Sequence, residues 1–331
     1  MPEAFLALSD ADKREALGVA ATASGRPAHV LEKDVWVVWT LSALFESRQA
    51  EHLVFKGGTS LSKAYGVIDR FSEDIDITYD VRALIGDLAG TGEAPVPDNN
   101  SQLKKWRKAI DHELPAWVGG TLTPYLDARL QAQGLKAGLE PEADKLWIRH
   151  APISEGWGYM KPDVMVEFGG RSTGLPVDEI AIVCDAAAFL EGLDFPTAKP
   201  RVMRVDRTFW EKATAVHVFC RLGQLNGERL ARHWYDLMRL DDAGHAATAL
   251  ANRELARQVA ENKQAFFGVK DIDYVAAVEG GLKLVPDGEL MDRLKADYQA
   301  MVVGGLLADD APAFEVLIER CRALEAQANG G

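Results

Sequence analysis

Cysteine is scarce in this chain. Only Cys184, Cys220 and Cys321 occur among 331 residues, far apart, which excludes a disulfide framework and fits a reducing compartment. No pair of His or Cys has zinc-ligand spacing, so a structural zinc is not expected. Long hydrophobic runs are missing too. The longest, around Val35–Phe45, is too short and too interrupted to span a bilayer. The opening Met-Pro-Glu-Ala-Phe-Leu-Ala-Leu-Ser-Asp has no basic region, which argues against a secretory signal. Together these absences predict a cytoplasmic protein without membrane contact. Internal repeats and low-complexity tracts are absent as well. So are the Walker A spacing Gly-x-x-x-x-Gly-Lys-Ser/Thr and the dinucleotide fingerprint Gly-x-Gly-x-x-Gly.

What is present is the composition of an ordinary globular protein, 47% hydrophobic and 26% charged, long enough for one large or two smaller domains. The formal charge of −13 disfavours indiscriminate nucleic-acid binding, which needs net phosphate neutralisation. The charge is uneven, however. Residues 201–239 hold eight bases against four acids (Asp206, Glu211, Glu228, Asp236), a footprint for a polyanion or a set of i,i+4 pairs on a solvated helix.

Ser9-Asp10 is a candidate cap for a first helix, and Lys33–Phe45 reads as a second. His52–Phe55 reads as a short strand ending at Lys56-Gly57-Gly58, after which Thr59 and Ser60 suit the N-cap of a helix through Tyr65. Asp74–Tyr79 alternates polar and apolar, as a strand buried on one face does. Residues 89–101 have loop composition, 102–135 are helical in period, and Val164–Phe168 and Ile180–Val183 read as strands. From Arg207 onward the pattern is helical. The division is an α/β half to about residue 205 (domain 1–205) and an α-helical half (206–331).

Residues 56–76 carry the densest chemistry. On a strand, Asp74 and Asp76 share a face opposite Ile75 and Ile77. Two carboxylates so placed repel unless a cation lies between them, and oxygen ligands suit Mg²⁺. The plainer reading is a solvated polar face. Gly57-Gly58, between strand and helix, lets backbone approach a ligand closely, and Thr59 or Ser60 can offer a hydroxyl to phosphate; alone, the pair is also an ordinary tight turn. In Asp163-Val164-Met165-Val166-Glu167-Phe168, Glu167 is an acid within an apolar strand, costly unless paired or bound to metal. Arg171, beyond the following Gly-Gly, can pair with it or with phosphate. Lys212 sits amid Phe209, Trp210, Ala213 and Val216, where a positive charge needs an anionic partner, a triphosphate or Asp236. A bare Lys212–Asp236 salt bridge between helices is the alternative. His217 and His233 lie nearby in sequence, as core or surface histidines.

Lys-Gly-Gly-Thr-Ser-Leu, then Arg-Phe-Ser-Glu-Asp-Ile-Asp-Ile, then Val-Met-Val-Glu-Phe-Gly-Gly-Arg, in that order, resemble the AbiEii family of nucleotidyltransferase toxins, found in type IV-like toxin–antitoxin and abortive-infection systems. Arg207-Thr-Phe-Trp-Glu-Lys-Ala213, Arg232-His-Trp-Tyr-Asp-Leu237 and the leading Leu31-Glu-Lys-Asp34 extend the likeness over roughly residues 30–240. The resemblance implies an α/β (α+β) fold, a polymerase-β-like nucleotidyltransferase core with a mixed sheet followed by an α-helical C-terminal domain. It implies Asp74, Asp76 and Glu167 as ligands of Mg²⁺ (or Mn²⁺), and catalytic roles for Asp74, Asp76, Lys212 and Asp236. An NTP would lie on Gly57, Gly58, Thr59 or Ser60, Lys212 and Arg171. It further implies an RNA acceptor such as a tRNA 3′ end, growth arrest, and a cognate antitoxin encoded nearby. Rival readings are transfer to a protein or small-molecule hydroxyl, and a non-catalytic nucleotide-binding protein, which the mutually repelling carboxylates disfavour.

Overall fold

The structure, a computed structural model, describes residues 3–330 except Phe71, Glu73, residues 157–160, Asn226, Glu228 and residues 308–310. Two positions of the Arg-Phe-Ser-Glu-Asp run and one acid of the 201–239 segment thus lie outside the described residues. A seven-stranded mixed sheet organises the first half. Its strands are β1 (Leu53–Lys56), β2 (Asp74–Tyr79), β3 (Ala137–Glu142), β4 (Lys145–His150), β5 (Val164–Gly169), β6 (Val177–Glu179) and β7 (Arg201–Met203). They lie in the order β3-β4-β5-β2-β1-β7-β6. β2 runs parallel to β5 and antiparallel to β1. Ile75 and Ile77 of β2 are fully buried, and the alternation that predicted this strand puts its aspartates on the other face.

Helix α1 (Asp10–Ser24) starts where expected, with Ser9 accepting a bond from the Asp12 amide. Helix α2 (Ala28–Phe45) begins ahead of the expected Lys33, and the charged run Glu32-Lys33-Asp34 is buried within it. Each of the three charges fastens a different segment. Glu32 accepts from the Ile153 and Ser154 amides at 2.9 and 2.8 Å. Lys33 donates to the Lys161 carbonyl at 2.8 Å. Asp34 pairs with Lys63 at 2.6 Å and accepts from the Asp185 amide at 2.6 Å. Helix α3 (Gly57–Lys63) starts at Gly57, so Thr59 and Ser60 stand inside its first turn and are not its N-cap. The expected 102–135 helix is two, α5 (Asn100–Trp117) and α6 (Thr123–Ala132), joined by a π turn at Val118–Leu122; a short α4 (Val81–Ile85) precedes them. The β3–β4 hairpin was not expected, since mostly exposed β3 contains Gly138 and Pro141 and lacks alternation. The expected Ile180–Val183 strand is split: β6 precedes it, and Ile182–Val183 pairs with Thr197–Ala198 outside the main sheet.

The second half is helical: α7 (Val205–Leu222), α8 (Arg232–Asp242), α9 (His245–Ala251), α10 (Arg253–Phe267), α11 (Glu289–Val303) and α12 (Phe314–Gly330). Buried Trp210 and Trp234 anchor its core, their indole N–H groups bonded to the Ala249 and Leu284 carbonyls. Leu61, Val67 and Ile68, just after α3's start and beyond its end, enter this helical core, so the two halves meet at the glycine-pair segment. Among the described residues no helix is long and apolar enough to cross a membrane.

Lys63 is the counter-ion of an otherwise costly buried carboxylate: burial holds the Asp34 carboxyl above its ordinary pKa despite Lys63. Lys63→Met should cost about 3–5 kcal/mol at pH 8, measured by urea unfolding. A carboxyl whose folded pKa is raised gains relative stability as pH falls through that pKa, so the loss should shrink at pH 5. A pH-independent loss would exclude Asp34 as the group left uncompensated.

Candidate active site

Strand register builds one wall of the site. Lys145 of β4 stands opposite Glu167 of β5, Glu167 opposite Asp76 of β2, and Asp76 opposite Lys56 of β1. Residues in register share a face, so the row reads cation, carboxylate, carboxylate, cation across four strands. Adjacent strands lie about 4.8 Å apart, and like charges directly opposite are destabilising. Asp74, two residues before Asp76, adds a third acid to that face. Lys145 reaches Glu167 at 3.3 Å, and this attraction holds its ammonium above its ordinary pKa.

The glycine pair explains how the acids approach the helix start. Gly57 has φ +81, a left-handed conformation, and a Cβ built on it would collide with the Asp76 carboxylate. A Cβ on Gly58 would strike the Arg70 guanidinium and the Ser72 hydroxyl. Both hydroxyls that follow are engaged with backbone: Thr59 donates to the Asp74 carbonyl at 2.5 Å and Ser60 to the Gly57 carbonyl at 2.9 Å. They hold the turn and do not line the cavity.

The opposite wall is cationic and centred on a fully buried carboxylate. Asp236 of α8 accepts a two-pronged bond from Arg70, at 2.6 and 2.8 Å, and a third from Lys212 of α7 at 2.7 Å. Burial alone would raise its pKa, but Arg70 and Lys212 hold it well below the usual carboxylate range. Arg70 takes two of the three bonds to this carboxylate and Lys212 one. Asp236 overcomes the cost of burying Arg70, whereas burial, with repulsion from Arg70 and Arg232, holds Lys212 below its ordinary pKa. Arg229 and Arg232 line the same cavity, about 340 Å³ in volume, together with Lys56, Asp74, Asp76, Glu167 and Lys263. Asp297 of α11 positions the arginines by accepting from the Arg229 and Ala231 amides at 2.7 Å each. His233 also lines the cavity; burial and the charges of Lys212 and Arg232 hold its pKa well below the ordinary value, so the ring is neutral. His217 accepts from the Lys283 amide at 3.0 Å and serves the helical core.

The structure thus brings Gly57, Gly58, Asp74, Asp76, Glu167 and Lys212 to one cavity, with Asp236 buried behind Lys212. Arg171 is not in it; its guanidinium lies over the Phe267 ring. The eight bases of 201–239 divide as well: Lys212, Arg229 and Arg232 face the cavity, while Arg204 pairs with Asp206 and Arg239 with Asp69. Sequence reasoning missed Arg70 as the main partner of Asp236, along with Lys56, Glu211 and Lys263. Arg70 opens the Arg-Phe-Ser-Glu-Asp run, but nothing local marks a partner 166 residues away. As the side chains stand, no three His, Cys, Asp or Glu among the described residues are gathered as metal ligands. The donor set still fits a hard divalent cation: three carboxylates on one sheet face, two of them directly opposite, beside a glycine whose missing Cβ leaves room for one.

The family profile described as "Nucleotidyl transferase AbiEii toxin, Type IV TA system" matches residues 39–320. No curated protein matches the chain. Among solved structures, MenT4, a nucleotidyltransferase toxin from Mycobacterium tuberculosis, is 22% identical, covering 94% of this chain and 89% of its own, with a TM-score of 0.48. JHP933 from Helicobacter pylori is 17% identical, covering 90% and 87%, with a TM-score of 0.38.

Asp236→Ala should destabilise by about 3–5 kcal/mol, because it strands two buried cations. Glu211, whose carboxyl burial would raise but Lys263 and Arg207 bring down to about 2, acts in the same direction on acidification. Carboxyls with depressed folded pKa values contribute stability above their unfolded pKa, and that stability is lost as pH falls toward the folded value. Wild-type stability, followed by urea titration, should fall steeply below about pH 4. The Asp236→Ala protein should show a shallower fall, and parallel curves would exclude Asp236 as a source of the acid sensitivity.

Proposed function

The chain belongs to the AbiEii nucleotidyltransferase toxin family of type IV toxin–antitoxin systems, and from that premise we propose that it transfers a nucleoside monophosphate from an NTP to the terminal hydroxyl of an RNA, a tRNA 3′ end in particular, and so arrests growth. Such a toxin has a cognate antitoxin as partner. The cytoplasm, where NTP and RNA are both available, is its place of action.

One observation carries the reading: a cluster of carboxylates and a cluster of cations face each other across a single cavity. Asp74, Asp76 and Glu167 repel one another on the sheet side, and Lys212, Arg229 and Arg232 gather on the helical side. A triphosphate with its divalent cation is the ligand that relieves both repulsions at once. Asp74, Asp76 and Glu167 would hold Mg²⁺ or Mn²⁺, which when bound lowers the pKa of an acceptor hydroxyl and offsets charge developing at the α-phosphorus. Lys212, Arg229 and Arg232 take the charge of the phosphates and then of the departing pyrophosphate. Gly57 and Gly58 let Asp76 and Arg70 close on the turn, and the Thr59 and Ser60 hydroxyls keep that turn in place. Asp236, with no exposure and its carboxylate taken up by three bonds from Arg70 and Lys212, has the role of aiming Lys212.

Purified protein incubated with each α-³²P-labelled NTP and total cellular RNA should place label on RNA. Asp76→Asn should lower the rate about 10²-fold or more, while thermal stability holds or rises because a like-charge pair is removed. A variant as active as wild type would refute the carboxylate assignment. Label on protein alone would replace RNA as acceptor, and label nowhere would favour a binding protein.

A further inference from the structure

Phe267, the last residue of α10, holds a large apolar ring 45% exposed, while its neighbour Phe266 is buried. Two cations lie over that ring. Lys263 Nζ is 5.1 Å from the ring centroid and the Arg171 guanidinium 5.5 Å. Lys263 is one helical turn before Phe267 and lines the candidate cavity, where it also pairs with Glu211 at 2.7 Å. Arg171 follows Glu167 by four residues at the end of β5, and its carbonyl accepts from Asn262 of α10 at 2.8 Å, which fixes the loop against the helix. Among the described residues no carboxylate pairs with the Arg171 guanidinium. Arg107 of α5 donates to the Phe266 carbonyl at 2.8 Å, and the same helix carries the exposed Lys104 and Lys108. A chain of net charge −13 thus carries, one turn from its cavity, an aromatic surface rimmed with cations.

We propose that Phe267 is a stacking platform for a base of the acceptor RNA next to its reacting end, with Arg171 meeting the adjoining phosphate and the basic face of α5 continuing the track. The inference rests on the RNA-directed reading above. The platform lies about 6 Å along α10 from a cavity residue, a position suited to a nucleotide preceding the terminal one. Base–aromatic stacking tolerates any base, because each has a π face, and Arg adds a cation–π contribution. Phosphate capture by Arg171 needs no carboxylate to be displaced. A purely structural clasp between α10 and the β5 loop is already supplied by the Asn262 bond, and it would not require an exposed ring.

The test uses the full chain, a short single-stranded RNA with a free 3′ hydroxyl, and α-labelled NTP. Phe267→Ala should raise the KM for RNA roughly tenfold while leaving the KM for NTP within twofold. Phe267→Trp should restore RNA affinity, and Phe267→Leu, which keeps apolar bulk at the helix end and so guards the fold, should behave like Phe267→Ala. Arg171→Ala should raise the KM for RNA and flatten its dependence on salt. If wild type labels the RNA and neither Phe267→Ala nor Phe267→Leu changes its KM, the platform is wrong and nucleotidyl transfer to RNA stands. If wild type itself labels only protein, the RNA reading fails and the platform with it, an outcome read without any variant.

Discussion

Everything in the candidate site leans on Asp236. It is a carboxylate with no exposure to solvent, and it holds one cation from each half of the chain: Arg70 from the segment before β2 and Lys212 from α7. Taking a charge out of water is expensive, and the expense is recovered only with good geometry and full hydrogen bonding. Arg70 supplies both through its fork, so the first claim on the carboxylate is structural. What is left for Lys212 is a single, shared bond. That bond fixes the Lys212 ammonium where it lines the cavity.

The sheet side has the complementary imbalance. Asp76 and Glu167 are fixed opposite one another by backbone pairing that neither side chain can undo. Lys56 and Lys145 at the ends of the row soften the repulsion without removing it. In both walls the scaffold, and not the side chains themselves, maintains an unfavourable arrangement. Sheet pairing does so on one side, and a buried tryptophan core around α7 and α8 on the other. Packing rigid enough to hold such arrangements is what allows a site to be organised before its ligand arrives.

Legibility in the sequence followed the range of the interaction. The Asp74–Tyr79 strand was read with its bounds because period-two alternation is a local property, and so was the Ser9 cap. The Lys212–Asp236 pair was within reach because a lysine amid apolar neighbours announces that it needs an anion. Arg70 was not, since its need for Asp236 appears only when the Leu61–Ile68 segment packs into the helical core. The start of α2 was misplaced for a related reason. Nothing local to Glu32, Lys33 and Asp34 shows the three remote segments that satisfy them inside the helix. Arg171 is a different case: four residues after Glu167, it is expected at that acid or at phosphate, and the chain turns after Gly170 and carries its guanidinium over the ring of Phe267. A built Cβ at Gly170 would meet Leu84 and Ile110, a close approach that steers this turn against α4 and α5.

These placements assign different work to the two kinds of positive charge. Lys212, Arg229 and Arg232 face a confined cavity, where reduced solvent access strengthens their pull on phosphate. Arg171 is half-buried against the Phe267 ring and Lys104 and Lys108 of α5 are exposed, so salt reaches and screens them. A cavity of the first kind selects a small, highly charged ligand. A surface of the second kind suits a long, flexible polyanion whose position matters only near one end. The Gly-Gly turn, with Asp76 closing on one glycine and Arg70 on the other, is the hinge of that arrangement, since it is where the carboxylate wall and the cationic wall come within a side chain's reach of each other.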